Sequence, residues 1–325
     1  MRPTKTPYSS NPAICLAFLI ALLLSSGIST GQQAPFYPVS YRIFNPFIFN
    51  PAVAGSKDFT TADLNAGKHG DLNSQIVSFN GRLSKPGVSY FSSEGIPEFT
   101  NIGVGGIVFN EMNDISRIVG IAATGAYHLK LDRNALSHIS IGASLKALFN
   151  NYQGDEDLNR PAKSTFFPNV DLGLYYYSPI IYAGISATNI LGKPAEPDTL
   201  GYSTIPVSRQ YYLNVGTKIV IHKSYNLVVE PSLYVIADDS LSQEPLEMIK
   251  PAIRLYAGKF CIGTYLNNLD NVSFLFQFKY PKFHIGAYFE MQRKSPFYRT
   301  PPIAEIAFGM NLAAIKSGVS RLNHW

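Results

Sequence analysis

The sequence contains almost no cysteine. Only 2 of its 325 residues are cysteines, Cys15 and Cys261, and Cys15 lies in a predicted export signal. Cys15 does not fit a lipoprotein signal, because the apolar stretch follows the cysteine instead of preceding it. The mature chain would keep one cysteine, which excludes an intramolecular disulfide and a cysteine-based metal site.

Charged residues and long apolar runs are also scarce. Charged residues make up 15% of the chain, against about a quarter in a typical soluble domain. After the first 31 residues no run of about 18 apolar residues occurs, which excludes membrane-spanning helices. The net charge of +5 is spread along the chain without a basic cluster, so we predict no nucleic-acid partner.

Sequence motifs of common enzymes and cofactor sites are missing as well. There is no G-x-S-x-G or Walker A motif, and the six histidines lack the spacing of a zinc site. The glycines at 103–106 open a predicted strand instead of following one, so they are expected to relieve crowding. Asp155-Glu156-Asp157 lacks the spaced ligands of a calcium loop and is interpreted as a solvated loop. We predict a non-enzymatic protein without cofactor or metal.

The first 31 residues are predicted to form a signal peptide. Arg2 and Lys5 precede an apolar run at 13–24, and small residues follow at 29 and 31. The run is too short to span a bilayer as a helix. The mature chain is expected to begin near Gln32.

Alternation of apolar and polar residues dominates the remainder of the chain. In 136–149, for example, Ile141 and Leu145 alternate with Ser140, Ser144 and Lys146. The same period of two predicts about fourteen strands: 59–68, 73–83, 101–109, 116–131, 136–149, 168–178, 180–190, 208–222, 225–236, 246–257, 259–267, 271–280, 282–291 and 302–313. Most are about 9 to 15 residues long, as tilted membrane-crossing strands require, whereas soluble strands average about 5 or 6.

These features predict an all-β fold, a transmembrane antiparallel β-barrel of about 14 strands with up-and-down meander topology. The barrel covers 59–313 and is followed by a C-terminal tail at 314–325. One face of each strand would contact outer-membrane lipid and the other a water-filled lumen. A β-sandwich gives the same alternation, but its strands would be shorter and carry more exposed charge.

Polar residues on the second face are expected to line the lumen. The candidates are Lys146, Asp171, Lys218, Glu230, Lys250, Arg254 and Glu290, with His128, His222 and His284 as solvated side chains. Glu230-Pro231 and Lys250-Pro251 fall on neighbouring strands, where each proline removes a donor from the ladder. The two charges either pair in the lumen or mark a β-bulge without function.

The lengths of the connections predict the orientation of the barrel. Connections after strands four, six, eight, ten and twelve are short, while those after five, seven, nine and thirteen are long and polar. Outer-membrane barrels have short periplasmic turns and long outer loops, so both barrel termini are predicted to be periplasmic. The connections at 84–100 and 267–271 break the alternation of lengths.

An apolar segment with two Asn-Pro steps precedes the first strand. The residues of this motif are Tyr41, Asn45, Pro46, Asn50, Pro51, Ala54 and Gly55. The prolines exclude an interior helix or a central strand, and the aromatic side chains require cover. We predict that 32–58 forms an anchor or plug in or under the periplasmic mouth of the barrel; the alternative is an apolar loop under a soluble sheet.

The combination of these motifs resembles the PorP/SprF family of outer-membrane proteins of the type IX secretion system. The matching residues are Tyr41, Asn45, Asn50-Pro51, Ala52, Ala54 and Gly55 in the first segment, then the stretches 101–105, 108–110, 125–129, 142–146, 167–177, 182–186 and 230–232. The resemblance spans nearly the whole mature chain. The insertion at 84–100 and the tail at 314–325 depart from the family pattern.

The resemblance implies a role in protein secretion and gliding motility. Such proteins are expected to bind components of the secretion machine, namely a periplasmic ring and a peptidoglycan-linked protein, as well as secreted cargo domains. The alternative function is an outer-membrane channel or transporter for small or hydrophobic solutes. A lipid-modifying barrel enzyme would require a Ser/His pair that the sequence does not place.

Overall fold

The fold was derived from a computed structural model. It describes residues 39–57, 60–84, 99–113, 116–132, 136–152, 162–192, 209–238, 245–267, 271–280, 282–292 and 302–312. The predicted signal peptide, the C-terminal tail, the acidic stretch at 155–157 and most of the insertion at 84–100 lie outside these residues. None of the described helices is long and apolar enough to cross a membrane.

The described chain consists mainly of β-strands. Each strand predicted from the sequence has a counterpart in the structure, although β6 begins at Lys163 instead of Pro168. The strands are β1 (Thr60–His69), β2 (Leu72–Ser84), β3 (Phe99–Met112), β4 (Ser116–Asp132), β5 (Ser137–Tyr152), β6 (Lys163–Tyr177), β7 (Ile181–Thr188), β8 (Gln210–Thr217), β9 (Ile219–His222), β10 (Leu227–Asp238), β11 (Ile249–Ala257), β12 (Phe260–Tyr265), β13 (Asn271–Tyr280), β14 (Phe283–Gln292) and β15 (Ile303–Leu312). A short helix, Pro245–Met248, precedes β11.

The strands close into a single antiparallel barrel. Apart from β8 and β9, consecutive strands pair with each other, and β1 also pairs with β15, so the first and last strands complete the ring. Both β8 and β9 pair with β10 and form two parts of one strand, which gives 14 strands around the barrel. The predicted β-barrel with meander order is therefore confirmed.

Proline 231 explains the break between β8 and β9. The pairs Ser232–Gly216 and Val229–Ile219 keep one register, so no residue is inserted between them. In this register Pro231 lies opposite Thr217, and because Pro231 has no N–H to donate, the ladder is interrupted there without a bulge. The bulge predicted at this place is wrong.

The register also corrects the predicted pairing of Glu230. Glu230 lies opposite Arg254 on β11, whereas Lys250 lies opposite Tyr234. Glu230 forms an ion pair with Arg254. Lys250 instead donates to the carbonyl oxygens of Glu247 and Asn267, at 3.0 and 2.5 Å. The two charges on neighbouring strands therefore have different partners.

The two faces of the barrel differ in chemistry and in burial. On β5, Leu145 is 67% exposed and its neighbour Lys146 is 6% exposed. On β13 the corresponding values are 42% for Phe276 and 6% for Gln277. Apolar side chains therefore face outward, where lipid replaces water, and polar side chains face the lumen.

The lumen is packed, which contradicts the prediction of a water-filled interior. Polar lumen side chains such as Asp171, Glu230 and Glu290 are buried. The largest described hydrophobic cluster joins Phe47, Phe49 and Val53 from the N-terminal segment to inward-facing strand residues. The sequence period could not reveal this, because alternation separates the two faces without showing what covers the inner one.

Candidate functional site: the plugged lumen

An irregular N-terminal segment, residues 39–57, occupies the lumen, and we call it the plug. It contains a helix, Val39–Phe44, and two 3-10 turns, Pro46–Ile48 and Pro51–Val53. Each Asn-Pro step starts one turn, with proline at the first position, where its missing N–H costs no helical hydrogen bond. Gly55, which follows the second turn, has a φ of 75°, a left-handed conformation that suits glycine.

Asn50 connects the plug to two strands on one side of the barrel. Its side-chain oxygen accepts a bond from Ala52 N at 3.0 Å and caps the second 3-10 turn. Its amide nitrogen donates to the carbonyl oxygens of Leu174 and Ile185, at 3.1 and 3.4 Å. One amide therefore both shapes the plug and attaches it to β6 and β7.

Asn45 attaches the plug to the opposite part of the wall. Its amide nitrogen donates to Asp63 at 2.6 Å and to Ser78 at 2.8 Å, on β1 and β2. The other carboxylate oxygen of Asp63 lies 3.0 Å from His284 Nε2 on β14. The first Asn-Pro step thus contacts the region where the barrel closes.

Tyr41 adds a contact to β2. Its hydroxyl donates to the carbonyl oxygen of Ile76 at 3.0 Å. Burial is the main cause that raises the pKa of Tyr41 above its ordinary value, and the charge of Asp63 adds to it. The hydroxyl therefore stays neutral and keeps its donor.

Lumen side chains in turn satisfy the plug backbone. Ser186 and Ser140 donate to the carbonyl oxygens of Phe49 and Ala52, both at 2.7 Å. Asn80 accepts a bond from Gly55 N at 2.7 Å. A segment without regular secondary structure has backbone groups that need such partners when it is buried. Several polar residues of the inner face therefore bind the plug instead of water.

His128 is part of a buried chain of hydrogen bonds, which corrects its prediction as a solvated side chain. It is 1% exposed, and its Nε2 lies 2.8 Å from the carbonyl oxygen of Ala54. Because a carbonyl only accepts, Nε2 carries the hydrogen, and Nδ1 accepts from the Tyr177 hydroxyl at 2.9 Å. Arg82 donates to the same hydroxyl. The chain Arg82–Tyr177–His128 thus ends on the plug.

Glycines of the inner face provide the space that the plug occupies. A Cβ atom on Gly142 would lie 2.5 to 2.6 Å from backbone atoms of Pro51 and Ala52. One on Gly103 would overlap the Ala54 carbonyl, and one on Gly173 would overlap the Asn50 side chain. The glycines at these positions allow two backbones to approach closely.

The predicted lumen residues form separate polar groups around the plug. Lys146 and Asp171 form an ion pair at 2.7 Å between β5 and β6. Glu230 accepts bonds from Arg254, from Tyr182 at 2.7 Å and from Tyr256 at 2.8 Å. Arg254 also donates to the plug carbonyl of Ile43 at 3.3 Å.

The other lumen residues predicted from the sequence are Lys218, Lys250 and Glu290. The charge of Glu230 acts on Lys218, and that of Glu290 acts on Lys250. Glu290 accepts a bond from Asn271 at 2.6 Å and another from Tyr288. His222 is exposed at the end of β9. Among the described residues, no group of three or more His, Cys, Asp or Glu is suited to hold a metal ion.

The comparison with protein families decides the identity of this plugged barrel. The family model for "Type IX secretion system membrane protein PorP/SprF" matches residues 29–306. The chain belongs to the PorP/SprF family. The resemblance predicted from the sequence is confirmed, and the protein is an outer-membrane β-barrel of the type IX secretion system.

Solved outer-membrane barrels resemble this PorP/SprF protein only distantly. The Acinetobacter baumannii protein Omp33 has 9% identity and a TM-score of 0.39, over 79% of this chain and 99% of Omp33. The CymD monoaromatic hydrocarbon channel has 10% identity and a TM-score of 0.41, over 86% and 94% of the two chains. The translocator domain of NalP from Neisseria meningitidis has 10% identity and a TM-score of 0.35, over 78% and 86%. No match was found among curated proteins.

Several contacts of the PorP/SprF plug site were not predicted from the sequence. Arg42 donates to the Tyr265 hydroxyl at 3.2 Å and to the Asn267 side chain at 3.4 Å. Asp63 and His284 form a close polar contact that no spacing in the chain indicates, because the barrel closure between β15 and β1 brings them together. The inward parity of Ser140 was visible in the alternation, but its partner on the plug was not.

Proposed function

We propose that this PorP/SprF barrel is a non-enzymatic docking protein for protein secretion and gliding motility. It binds secreted cargo domains and components of the machine, namely the periplasmic ring and a peptidoglycan-linked protein. Family membership supports a place in the type IX system. The further proposal that the barrel docks partners is based on the plug.

The observation that carries this proposal is the plugged lumen. The plug bonds to β1 and β2 through Asn45, and to β6 and β7 through Asn50. Its aromatic side chains pack with residues of the inner wall. An interior filled in this way does not favour the alternative, a channel or transporter for small or hydrophobic solutes.

The lengths of the turns support a periplasmic location for both barrel termini. Described short connections at 178–180, 223–226 and 258–259 lie at the end of the barrel where β1 begins and β15 ends. Outer-membrane barrels carry their short turns on the periplasmic side. The connections between β1 and β2 and between β3 and β4 are exceptions, since they are short and lie at the other end, and the long connection between β2 and β3 is an exception at this end. In this orientation the Gly55–Lys57 end of the plug faces the periplasm and its partners.

Co-purification tests the docking function. The full chain would be isolated from gently solubilised membranes and the attached proteins identified, with heat-modifiable gel migration as the check on the barrel. We expect machine components or cargo with the natural chain. We expect fewer with the double variant Asn50→Ser, Pro51→Gly, which loosens the plug and its surface.

The control variant is Asn101→Ser, which changes an exposed asparagine on β3. It should keep all partners. If the natural chain retains no component of the system, or if the plug variant retains them all while its plug is released, the docking proposal is wrong.

A further inference from the structure

Four aromatic side chains form a continuous patch on the outer face of the barrel, at the end where β1 begins. The ring centre of Phe260 on β12 lies 5.1 Å from that of Phe278 on β13. The Phe283 ring on β14 lies 6.5 Å from Phe278 and 5.3 Å from Tyr280. Phe260 pairs directly with Phe278, and Tyr280 with Phe283, so the four rings share one face. We call them the aromatic patch.

Lys259 brings a positive charge to the aromatic patch. It lies in the short turn between β11 and β12, and its Nζ atom is 4.9 Å from the centre of the Tyr280 ring. The backbone holds it there, because the Lys259 carbonyl oxygen accepts a bond from Lys279 N at 2.8 Å, beside the end of β13. An ammonium group is attracted to the face of an aromatic ring. The turn and the patch therefore form one surface.

The positive charge at these turns is not balanced by carboxylates. Lys282 is exposed in the turn between β13 and β14 and directly precedes Phe283. Within the described part of the chain, neither Lys259 nor Lys282 forms an ion pair. From 258 to 285 the sequence contains three lysines and one acidic residue, Asp270, which belongs to the connection at the opposite end of β12 and β13. An anion at the patch would therefore be attracted.

Beyond the aromatic patch the outer face continues as an apolar surface. Ile262, Phe276 and Ile285 lie farther along the same three strands, and all three are exposed. In outer-membrane barrels such a surface contacts acyl chains, and aromatic rings lie at the level of the headgroups. Charge at the turns, rings at the strand ends and aliphatic side chains farther in follow the order of groups along a phospholipid.

We propose that the aromatic patch, together with Lys259 and Lys282, binds an anionic phospholipid. Its phosphate oxygens accept charge-assisted hydrogen bonds from the lysines, and its acyl chains lie along Ile262 and Ile285. A zwitterionic headgroup fits less well, because the face of Tyr280 that could hold its cation is in contact with Lys259. The choice of a phospholipid rests on the proposed periplasmic orientation of this end, whereas the site does not require a docked partner.

Native mass spectrometry of the full chain in neutral detergent tests this site. Binding of anionic phosphatidylglycerol would be compared with binding of zwitterionic phosphatidylcholine that carries the same acyl chains. The natural chain should prefer phosphatidylglycerol by about tenfold or more, and the variant Lys259→Gln, Lys282→Gln should lose most of this preference. The matched control Lys130→Gln, Lys223→Gln removes the same charge from exposed lysines at the same end, on other strands. It should keep the preference within about twofold.

Substitutions at Tyr280 test the contribution of the ring. Tyr280→Leu removes the ring that holds Lys259 and should lower the preference for phosphatidylglycerol by about two- to fivefold. Tyr280→Phe keeps the ring and should keep the preference. Equal losses in the two variants would contradict the role of the ring contact.

Equal affinity of the natural chain for the two lipids, or equal losses in the lysine and control variants, overturns the proposal. Glycerol phosphate that binds as tightly as phosphatidylglycerol would also overturn it, because the site would then take a free anion. If the natural chain shows no lipid preference while the lysine variant loses co-purifying proteins, the patch contacts a protein instead. Heat-modifiable migration checks the fold, and Lys259→Gln with Lys259→Arg as its charge-keeping partner replaces the double variant if that one does not fold.

Discussion

Gly142 shows how a single residue without a side chain positions the plug. The backbone of Pro51 and Ala52 passes so close to Gly142 that a Cβ atom added there would overlap it. We predict that Gly142→Ala displaces the plug and lowers the free energy of unfolding by about 1–3 kcal/mol, as overpacking does. Protease cleavage within the plug and denaturant unfolding measure the two effects.

The control for this variant is Gly125→Ala on the neighbouring strand β4. Nothing lies within 4 Å of a Cβ atom there, and the residue faces outward. It should leave both measurements unchanged. Equal cleavage of the plug in the two variants would contradict the close approach at Gly142.

Breaking the ion pair of Glu230 and Arg254 gives a second prediction for a single residue. Arg254 joins β10 to the plug carbonyl of Ile43, and both side chains are removed from water. Removing one partner of a buried pair typically costs about 3–5 kcal/mol, because the other charge stays buried without compensation. We predict a loss of this size for Arg254→Met.

A double-mutant cycle isolates the interaction of the pair. Adding Glu230→Gln to Arg254→Met should recover part of the lost stability, since it removes the uncompensated carboxylate. Unfolding of the refolded barrel in denaturant gives the four free energies. Strictly additive losses would show that the two side chains do not interact.

At the scale of elements, the outward faces of the strands are tested at β13. Phe276 faces outward beside the inward Gln277. Phe276→Lys should destabilise the barrel by about 2–4 kcal/mol if the site is near the bilayer midplane, because a charge then enters lipid. Phe276→Leu keeps an apolar side chain and should cost far less. Similar losses for both substitutions, measured by unfolding from lipid vesicles, would place the residue outside the membrane.

The plug is the element whose removal the barrel should tolerate. We predict that Asn50→Ser with Pro51→Gly makes residues 39–57 sensitive to protease while the barrel keeps its heat-modifiable migration. The reason is that the strands pair through their own backbones, and the plug adds contacts only on the inner face. Loss of the barrel in this variant would mean that the plug is required for strand assembly.

The strands and their faces follow from the sequence, whereas the path of the plug does not. A period of two is a local signal, and it placed Leu145 outward and Lys146 inward, as the structure has them. The two Asn-Pro steps indicated an irregular, covered segment. The partners of Asn50 lie 124 and 135 residues away in the chain, and no local pattern specifies such contacts.

At the scale of the whole molecule, the filled lumen gives its polar residues a different binding partner, the plug instead of water. Polar inner-face residues such as Ser140 and His128 were expected to face a water-filled lumen, whereas Ser140, Ser186 and His128 bond to plug carbonyls. The same alternation of polar and apolar residues therefore fits an open pore and a closed one. What distinguishes them is the covering segment, which precedes the barrel in the chain.

Conductance in planar bilayers tests the plugged barrel most directly. The account predicts that the natural chain inserts without steady ion conductance, and that the variant Asn50→Ser, Pro51→Gly opens measurable current as the plug is released. Asn101→Ser should behave like the natural chain. A large, steady conductance from the natural chain, equal to that of the plug variant, would contradict a plugged docking barrel and favour a channel.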